Sequence, residues 1–239
     1  MLRQFTELIM GIVSWVGRGK IVIPSMNNPK LNLGSGLSVA PDWINVDASP
    51  NSFFSHCPLF LLKQVYHFSG SKKTFSRDGY LSILKNSRFI HYDVRHKLPF
   101  LDLSIQYIYT SHFLEHLYYD EAKYLLQEAH RILKVSGTIR IGVPNLEYAV
   151  SLYQKGEKER FLAYFFSDNH SNIFSRHKYM YDFDMLRRVL SDIGYVNIKA
   201  CRYQEGKTPD IQILDNRPEE TLFLEADKNN KGNHERSNS

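Results

Sequence analysis

Three short β-rich runs early in the chain each stop at a residue suited to holding a ligand, and this constrains the fold more than any other feature. Leu31-Asn32-Leu33 runs into the turn Gly34-Ser35-Gly36, Trp43-Ile44-Asn45-Val46 ends at Asp47, and Arg88-Phe89-Ile90-His91-Tyr92 ends at Asp93. The alternation then continues. A run from Ile105 to Tyr109 precedes a helix from about Asp120, whose Ala122, Leu125, Leu126, Ala129, Ile132 and Leu133 trace one apolar face. Gly137 is expected to supply the left-handed stop, and Thr138 to Val143 forms a strand closed by Pro144. A last clear helix places Leu186, Val189, Leu190 and Ile193 on one face and stops at Gly194, before strands near Val196 to Cys201 and Thr221 to Leu224.

Strands alternating with helical periodicity build a mostly parallel sheet covered by helices on both faces. The expectation is an α/β, Rossmann-like, doubly wound fold of about seven strands. With 239 residues and 43% hydrophobic content the chain can bury one substantial core. Residues 1–29 read as an N-terminal amphipathic or helical extension, 30–226 as the domain with a substrate-capping insertion over 146–181, and 227–239 as a disordered polar tail. The stretch from Ala48 to Asn86 is least patterned, with a helix expected over Leu59 to Tyr66 and a polar loop over Ser69 to Asp78.

The apolar run Leu8 to Val16 falls far short of the roughly 20 residues that span a bilayer, and Arg18 and Lys20 follow it rather than precede it. Peripheral membrane contact through residues 1–20 is the most it offers. Two cysteines, Cys57 and Cys201, form no ligand cluster and suit a reducing cytoplasm. The net charge of +5 is spread along the chain, so nucleic acid is permitted but not implied. The sequence carries no signal for an oligomeric state.

In open α/β sheets ligands sit beyond the carboxyl ends of strands, where glycines let the backbone approach them. Asp47 is placed to accept hydrogen bonds from a ribose diol, and Asp93 from an adenine amino group while the Val94 amide meets a ring nitrogen. The dinucleotide fingerprint is incomplete, because Val39 stands where its third glycine belongs and Asp47 follows too soon for a phosphate-facing helix. No Walker lysine follows either. An adenosyl ligand without phosphates fits best. His112, Glu115 and His116 match the His-x-x-Glu-His pattern of a zinc hydrolase, a third and weakest reading of the chain. That pattern needs one continuous helix, and the β-run ending just before it argues against one, so no metal ligand is assigned.

These segments resemble the small class I methyltransferases. The likeness runs from about Lys30 to Ala226: Leu-Asn-Leu-Gly-x-Gly, Trp-Ile-Asn-Val-Asp and Leu-Pro-Phe, then Ser111-His112-Phe113-Leu114-Glu115-His116, the Glu128-Ala129-His130-Arg131-Ile132-Leu133-Lys134 helix, Ile141-Gly142-Val143-Pro144-Asn145, and His177-Lys178-Tyr179-Met180-Tyr181-Asp182. The resemblance implies S-adenosylmethionine as cofactor, held by Leu33, Gly34, Ser35, Gly36, Asp47, Asp93, Val94 and Ser111, with Gly34 and Gly36 along its methionine portion. His112, His116 and His177 are the candidate catalytic groups, and His170, His177, Tyr179, Tyr181 and Asp182 are expected to cap the site. Thr110-Ser111-His112-Phe113 stands where nucleic-acid amino-methyltransferases carry an Asn/Asp-Pro-Pro-aromatic motif. That disfavours a nucleic-acid substrate and leaves a small-molecule or glycan acceptor methylated at oxygen. A catalytically silent module of the same fold is the alternative.

Overall fold

The computed structural model of the chain describes residues 21–166 and 176–229. The expected membrane-contacting segment 1–20, His170 and the tail from 230 onward lie outside the described residues.

Seven strands form one open sheet: β1 (Lys30–Leu33), β2 (Trp43–Asp47), β3 (Arg88–His91), β4 (Ile105–Ser111), β5 (Leu133–Pro144), β6 (Tyr195–Cys201) and β7 (Thr221–Lys228). Their order is β3-β2-β1-β4-β5-β7-β6. The first five are parallel, and β7 lies antiparallel to both β5 and β6. Helices α1 (Pro50–Phe54), α2 (Leu59–Phe68) and α3 (Arg77–Asn86) separate β2 from β3, and α4 (Tyr119–Ile132) separates β4 from β5. Between β5 and β6 come α5 (Leu146–Gln154), α6 (Lys158–Phe165) and α7 (Phe183–Ile193), and α8 (Ile211–Leu214) precedes β7.

Side chains alternate across a strand, so each strand divides its residues between the two faces of the sheet. Leu31, Leu33, Ile44, Val46, Ile105 and Ile108 join Leu125, Ala129 and Ile132 of α4 and Leu186 and Leu190 of α7 in the main core. Burying each such leucine contributes about 1.5–3 kcal/mol. The intervening residues build a second, more polar layer. Asn32 donates to Asn45 Oδ1 at 3.2 Å, and Trp43 and Tyr109 pack with Ala40 and Leu214. Farther along, the fully buried Arg140 of β5 meets Asp215 at 2.5 Å and Glu225 at 3.4 Å. A third cluster, Leu62, Tyr80, Leu81, Leu84 and Phe89, anchors α2 and α3 beside β3.

Three local expectations are corrected. Gly137 is not the left-handed residue; Ser136 is, at φ 60°. α4 stops because Leu133 is already extended at ψ 136°, and Gly137 is required for space, since a Cβ there would lie 2.9 Å from the Gln106 and Lys134 carbonyl oxygens. The polar stretch before Asp78 is only partly loop: a 3-10 turn covers Gly70–Lys73, and Ser76 caps α3 by accepting from the Gly79 amide at 3.1 Å. Strand β7 continues to Lys228, so the sheet reaches two residues past the expected boundary at 226. Gly194 does take the expected left-handed cap, at φ 108°. Neighbouring parallel strands are ordinarily joined by a crossover helix, yet residues 34–42 between β1 and β2 form none.

Candidate active site

β1 has β2 on one side and β4 on the other, so the strand order reverses between β1 and β4. Register fixes the rim there. Leu33 is paired with both Val46 and Thr110, Asp47 with His91, and Ser111 with Gly142. The Gly34 turn, Asp47 and Ser111-His112 therefore emerge along one carboxyl edge, where open α/β sheets bind ligands.

The turn has two different glycines. Gly34 (φ +66°) lies under Phe113, whose Cγ would be 2.1 Å from an added Cβ, whereas at Gly36 (φ +52°) an added Cβ would meet nothing within 4 Å. Asp47 accepts from the Gly36 amide at 2.8 Å through one oxygen and from the Ser49 amide at 2.6 Å through the other. Each carboxylate oxygen can still accept once more. The Ser35 and Ser111 hydroxyls are buried without a hydrogen-bond partner among the described residues. Asn32 supports the turn by donating to the Ser38 carbonyl at 2.8 Å. Leu33 is buried in the core under the turn. Tyr92 donates its amide to the Asp47 carbonyl at 3.1 Å, which brings Asp93 and the buried Val94 to the same rim. The Asp93 carboxylate is engaged by Arg95, at 2.7 Å from Nη2 and 2.9 Å from Nε. Burial pulls the Asp93 pKa up, but the hydrogen bonds and charge of Arg95 outweigh it and hold the carboxyl below its usual range.

Beyond the ends of β4 and β5 lies a cavity of about 450 Å³. Its wall carries His112, Glu115 and His116 from the segment after β4, Arg160 and Tyr164 from α6, His177, and Arg217 and Glu220 from the approach to β7; among the described residues only Pro144 and Ala163 of the wall are apolar. A 3-10 turn, Leu114–His116, follows β4, so His112 and His116 do not share an α-helical face. The Lys178 amide donates to the Glu115 carbonyl at 2.7 Å, which seats His177 beside His116 with ring centroids 5.2 Å apart.

Hydrogen bonds orient these rings. His116 Nδ1 donates to the Arg176 carbonyl at 3.2 Å and His177 Nδ1 to the Tyr164 carbonyl, because a carbonyl can only accept. His112 is partnered on both nitrogens, with Thr221 Oγ1 at 2.9 Å and Arg217 Nη1 at 3.4 Å. Burial lowers the His116 pKa, against the pull of the Glu115 charge. Glu115 is 1% exposed, and neither carboxylate oxygen has a hydrogen-bond partner among the described residues. Its nearest ionisable neighbours are His112 Nδ1 at 3.5 Å and His116 Nε2 at 3.9 Å. One donor atom each from Glu115, His116 and His177 lie within 4.8 Å of one another. The sequence does not reveal this trio, since its helical test pairs His112 with His116. Arg160, Tyr164, Arg217 and Glu220 also go unread, because they sit in no motif and meet only through the fold.

Residues 54–141 match the family model described as a methyltransferase domain. Over those residues the chain is similar to the methyltransferase-domain family. No curated protein matches it. Among solved structures, a possible exported protein from Bordetella parapertussis aligns with a TM-score of 0.50 at 10% identity, over 94% of this chain and 68% of that one. An S-adenosylmethionine-dependent methyltransferase of Thermotoga maritima, titled a possible histamine N-methyltransferase, aligns at 0.49 and 12% identity over 85% and 83% of the two chains. One from Archaeoglobus fulgidus aligns at 0.47 and 15% identity over 93% and 94%.

S-adenosylmethionine is the donor named for the Thermotoga maritima and Archaeoglobus fulgidus proteins. The rim has the features such a ligand requires: open space over Gly36, two buried hydroxyls with free hydrogen-bonding capacity, and spare acceptor capacity on Asp47. Among the described residues no helix is long and apolar enough to cross a membrane.

Proposed function

We propose that this methyltransferase acts on a hydroxyl oxygen of a small-molecule or saccharide acceptor, in the cytoplasm. The observation that carries the reading is the composition of the cavity beside Ser111: about 450 Å³, lined among the described residues by eight polar or charged residues together with Pro144 and Ala163. That volume suits a small ligand. Arg160 and Arg217 offer planar donors for hydroxyl or carboxylate oxygens. Gly36, Ser35, Asp47 and Ser111 would hold S-adenosylmethionine, with Asp93 and Val94 at its adenine end. It supplies a methyl group already activated by attachment to a sulfonium sulfur.

The protein then has to align the acceptor and exclude water, and orientation can supply roughly 7–11 kcal/mol of a barrier. The acceptor hydroxyl would face the Glu115–His116–His177 cluster, which takes up its proton as the oxygen bonds to the methyl carbon and that carbon's bond to sulfur breaks. His116 and His177 are oriented for this by their Nδ1 bonds to carbonyls, each presenting Nε2. His112, with both nitrogens partnered, is not free to accept the proton.

One observation favours the silent-module alternative: the Phe113 ring rests on Gly34, where the methionine portion was expected. Calorimetry with S-adenosylmethionine separates the two readings. Micromolar binding, with S-adenosylhomocysteine released when a panel of hydroxylated acceptors is supplied, supports the enzyme; absence of binding defeats it.

A further inference from the structure

A carboxyl group shut away from water is ordinarily hydrogen-bonded or bound to a metal, and one without partners calls for an explanation. Glu115 is in that position: 1% exposed, with both oxygens unpartnered among the described residues. Around it stand His112, with Nδ1 at 3.5 Å and both nitrogens already partnered, and two imidazoles whose Nδ1 atoms are committed to backbone carbonyls, Arg176 for His116 and Tyr164 for His177. Metal-binding histidines are held in this way, one ring nitrogen donating to a carbonyl or carboxylate and the other left with its lone pair. The carbonyls dictate the tautomer, so Nε2 of each neutral ring is the free donor atom.

From this geometry we propose that Glu115, His116 and His177 form a three-ligand site for a divalent first-row transition cation, with Zn²⁺ the best match, whose open coordination position takes an oxygen of the acceptor. With the cation bound both Nε2 lone pairs are committed to it, and the acceptor proton passes instead to the uncoordinated Glu115 oxygen. Two imidazoles and one carboxylate are a donor set that suits such cations and leaves room for a further ligand. One ring nitrogen from each histidine and a Glu115 carboxylate oxygen lie within 4.8 Å of one another. Bonds of about 2.0–2.2 Å would draw them to roughly 3.4 Å apart, an adjustment that side-chain rotation can make. The cation would answer the buried charge of Glu115 and sit in the wall of the cavity, where an acceptor with a hydroxyl beside a second oxygen donor could bind it.

The role assigned to the cation rests on the methyl-transfer reading, but its presence does not, so the test reads metal without turnover. Untagged protein is stripped with chelator and titrated with Co²⁺, whose visible absorption reports coordination, then with Zn²⁺ to displace it. One equivalent of Co²⁺ is expected in the wild type and in His130→Asn, a control histidine on α4. Glu115→Gln and His177→Asn should each weaken uptake at least about tenfold. Calorimetry with S-adenosylmethionine on the same samples keeps a failure of the methyltransferase reading separate. Failure of stripped wild type to take up Co²⁺ stoichiometrically, or equal affinity in the two ligand variants, overturns the site. Should a variant not fold, ¹⁵N-imidazole spectra of the wild type decide: Zn²⁺ must shift Nε2 of both His116 and His177, and shifts confined to other histidines overturn the proposal.

Discussion

The backbone amide of Gly36 donates to the Asp47 carboxylate at 2.8 Å, joining the turn after β1 to the end of β2. The same carboxylate takes the Ser49 amide through its other oxygen at 2.6 Å, so both oxygens are held in place while each keeps one lone pair for a ligand. Asp47→Asn is nearly isosteric but turns an NH2 toward one of these two amides. A hydrogen bond to a charged group contributes about 1.5–3 kcal/mol, so affinity for S-adenosylmethionine should fall about ten- to hundredfold by calorimetry. Unchanged affinity would remove Asp47 from the cofactor site.

The two glycines of the turn should fail differently. Gly36→Ala adds a methyl group to open space, so its folding cost is confined to left-handed backbone strain of about 1–2 kcal/mol. The same methyl intrudes on the ligand, and cofactor binding should drop more than about tenfold in a folded protein. Gly34→Ala adds the same strain and drives Cβ into Phe113, costing about 2–5 kcal/mol in urea denaturation. If Gly36→Ala binds cofactor like wild type, the ligand does not pass over that residue.

The strands and their rim are legible because they rest on local rules. A β-rich run punctuated by glycine or aspartate marks both a strand and its carboxyl end, and Asp47 falls on the expected edge. What distant segments supply is not legible. His177 reaches His116 only after β5 and two further helices, through backbone bonds to Glu115 that no spacing encodes. Helix α3 escapes notice because Arg77-Asp78-Gly79 opens it like a turn, while its apolar face, Tyr80, Leu81 and Leu84, is short. Gly137 misleads for another reason: a glycine after a helix suggests a left-handed cap, yet here two carbonyls simply leave no room for Cβ.

Arg140 ties the polar layer of the sheet together. It is fully buried and bonded to Asp215, to Glu225 and to the carbonyls of Arg202 and Glu205. Removing one partner from a buried ion network leaves charge uncompensated, at a cost of about 3–5 kcal/mol. Arg140→Ala should lose stability on that scale in urea denaturation. A loss below about 1 kcal/mol would mean that water enters and solvates Asp215 and Glu225, contrary to their burial.

His130 on α4 gives the fold a definable response to acid. Its ring packs edge-on against Tyr195 at 4.8 Å between centroids, its Nε2 is buried without a partner among the described residues, and Lys228 donates to its carbonyl at 2.7 Å. Burial, and secondarily the Lys228 charge, lower its pKa from the ordinary 6.5. The unfolded chain therefore binds this proton more readily than the folded one. Stability rises with pH wherever the unfolded state holds more protons, so the contribution is complete above about pH 6.5 and is lost as pH falls through that value toward the lower folded pKa. The urea midpoint of wild type should accordingly drop between pH 7.5 and pH 5.5. His130→Gln, which cannot titrate, should show a smaller drop, and the difference between the two proteins isolates this residue from His116. Equal drops in both would show that His130 takes up its proton as easily folded as unfolded, and the acid sensitivity would then lie elsewhere in the chain.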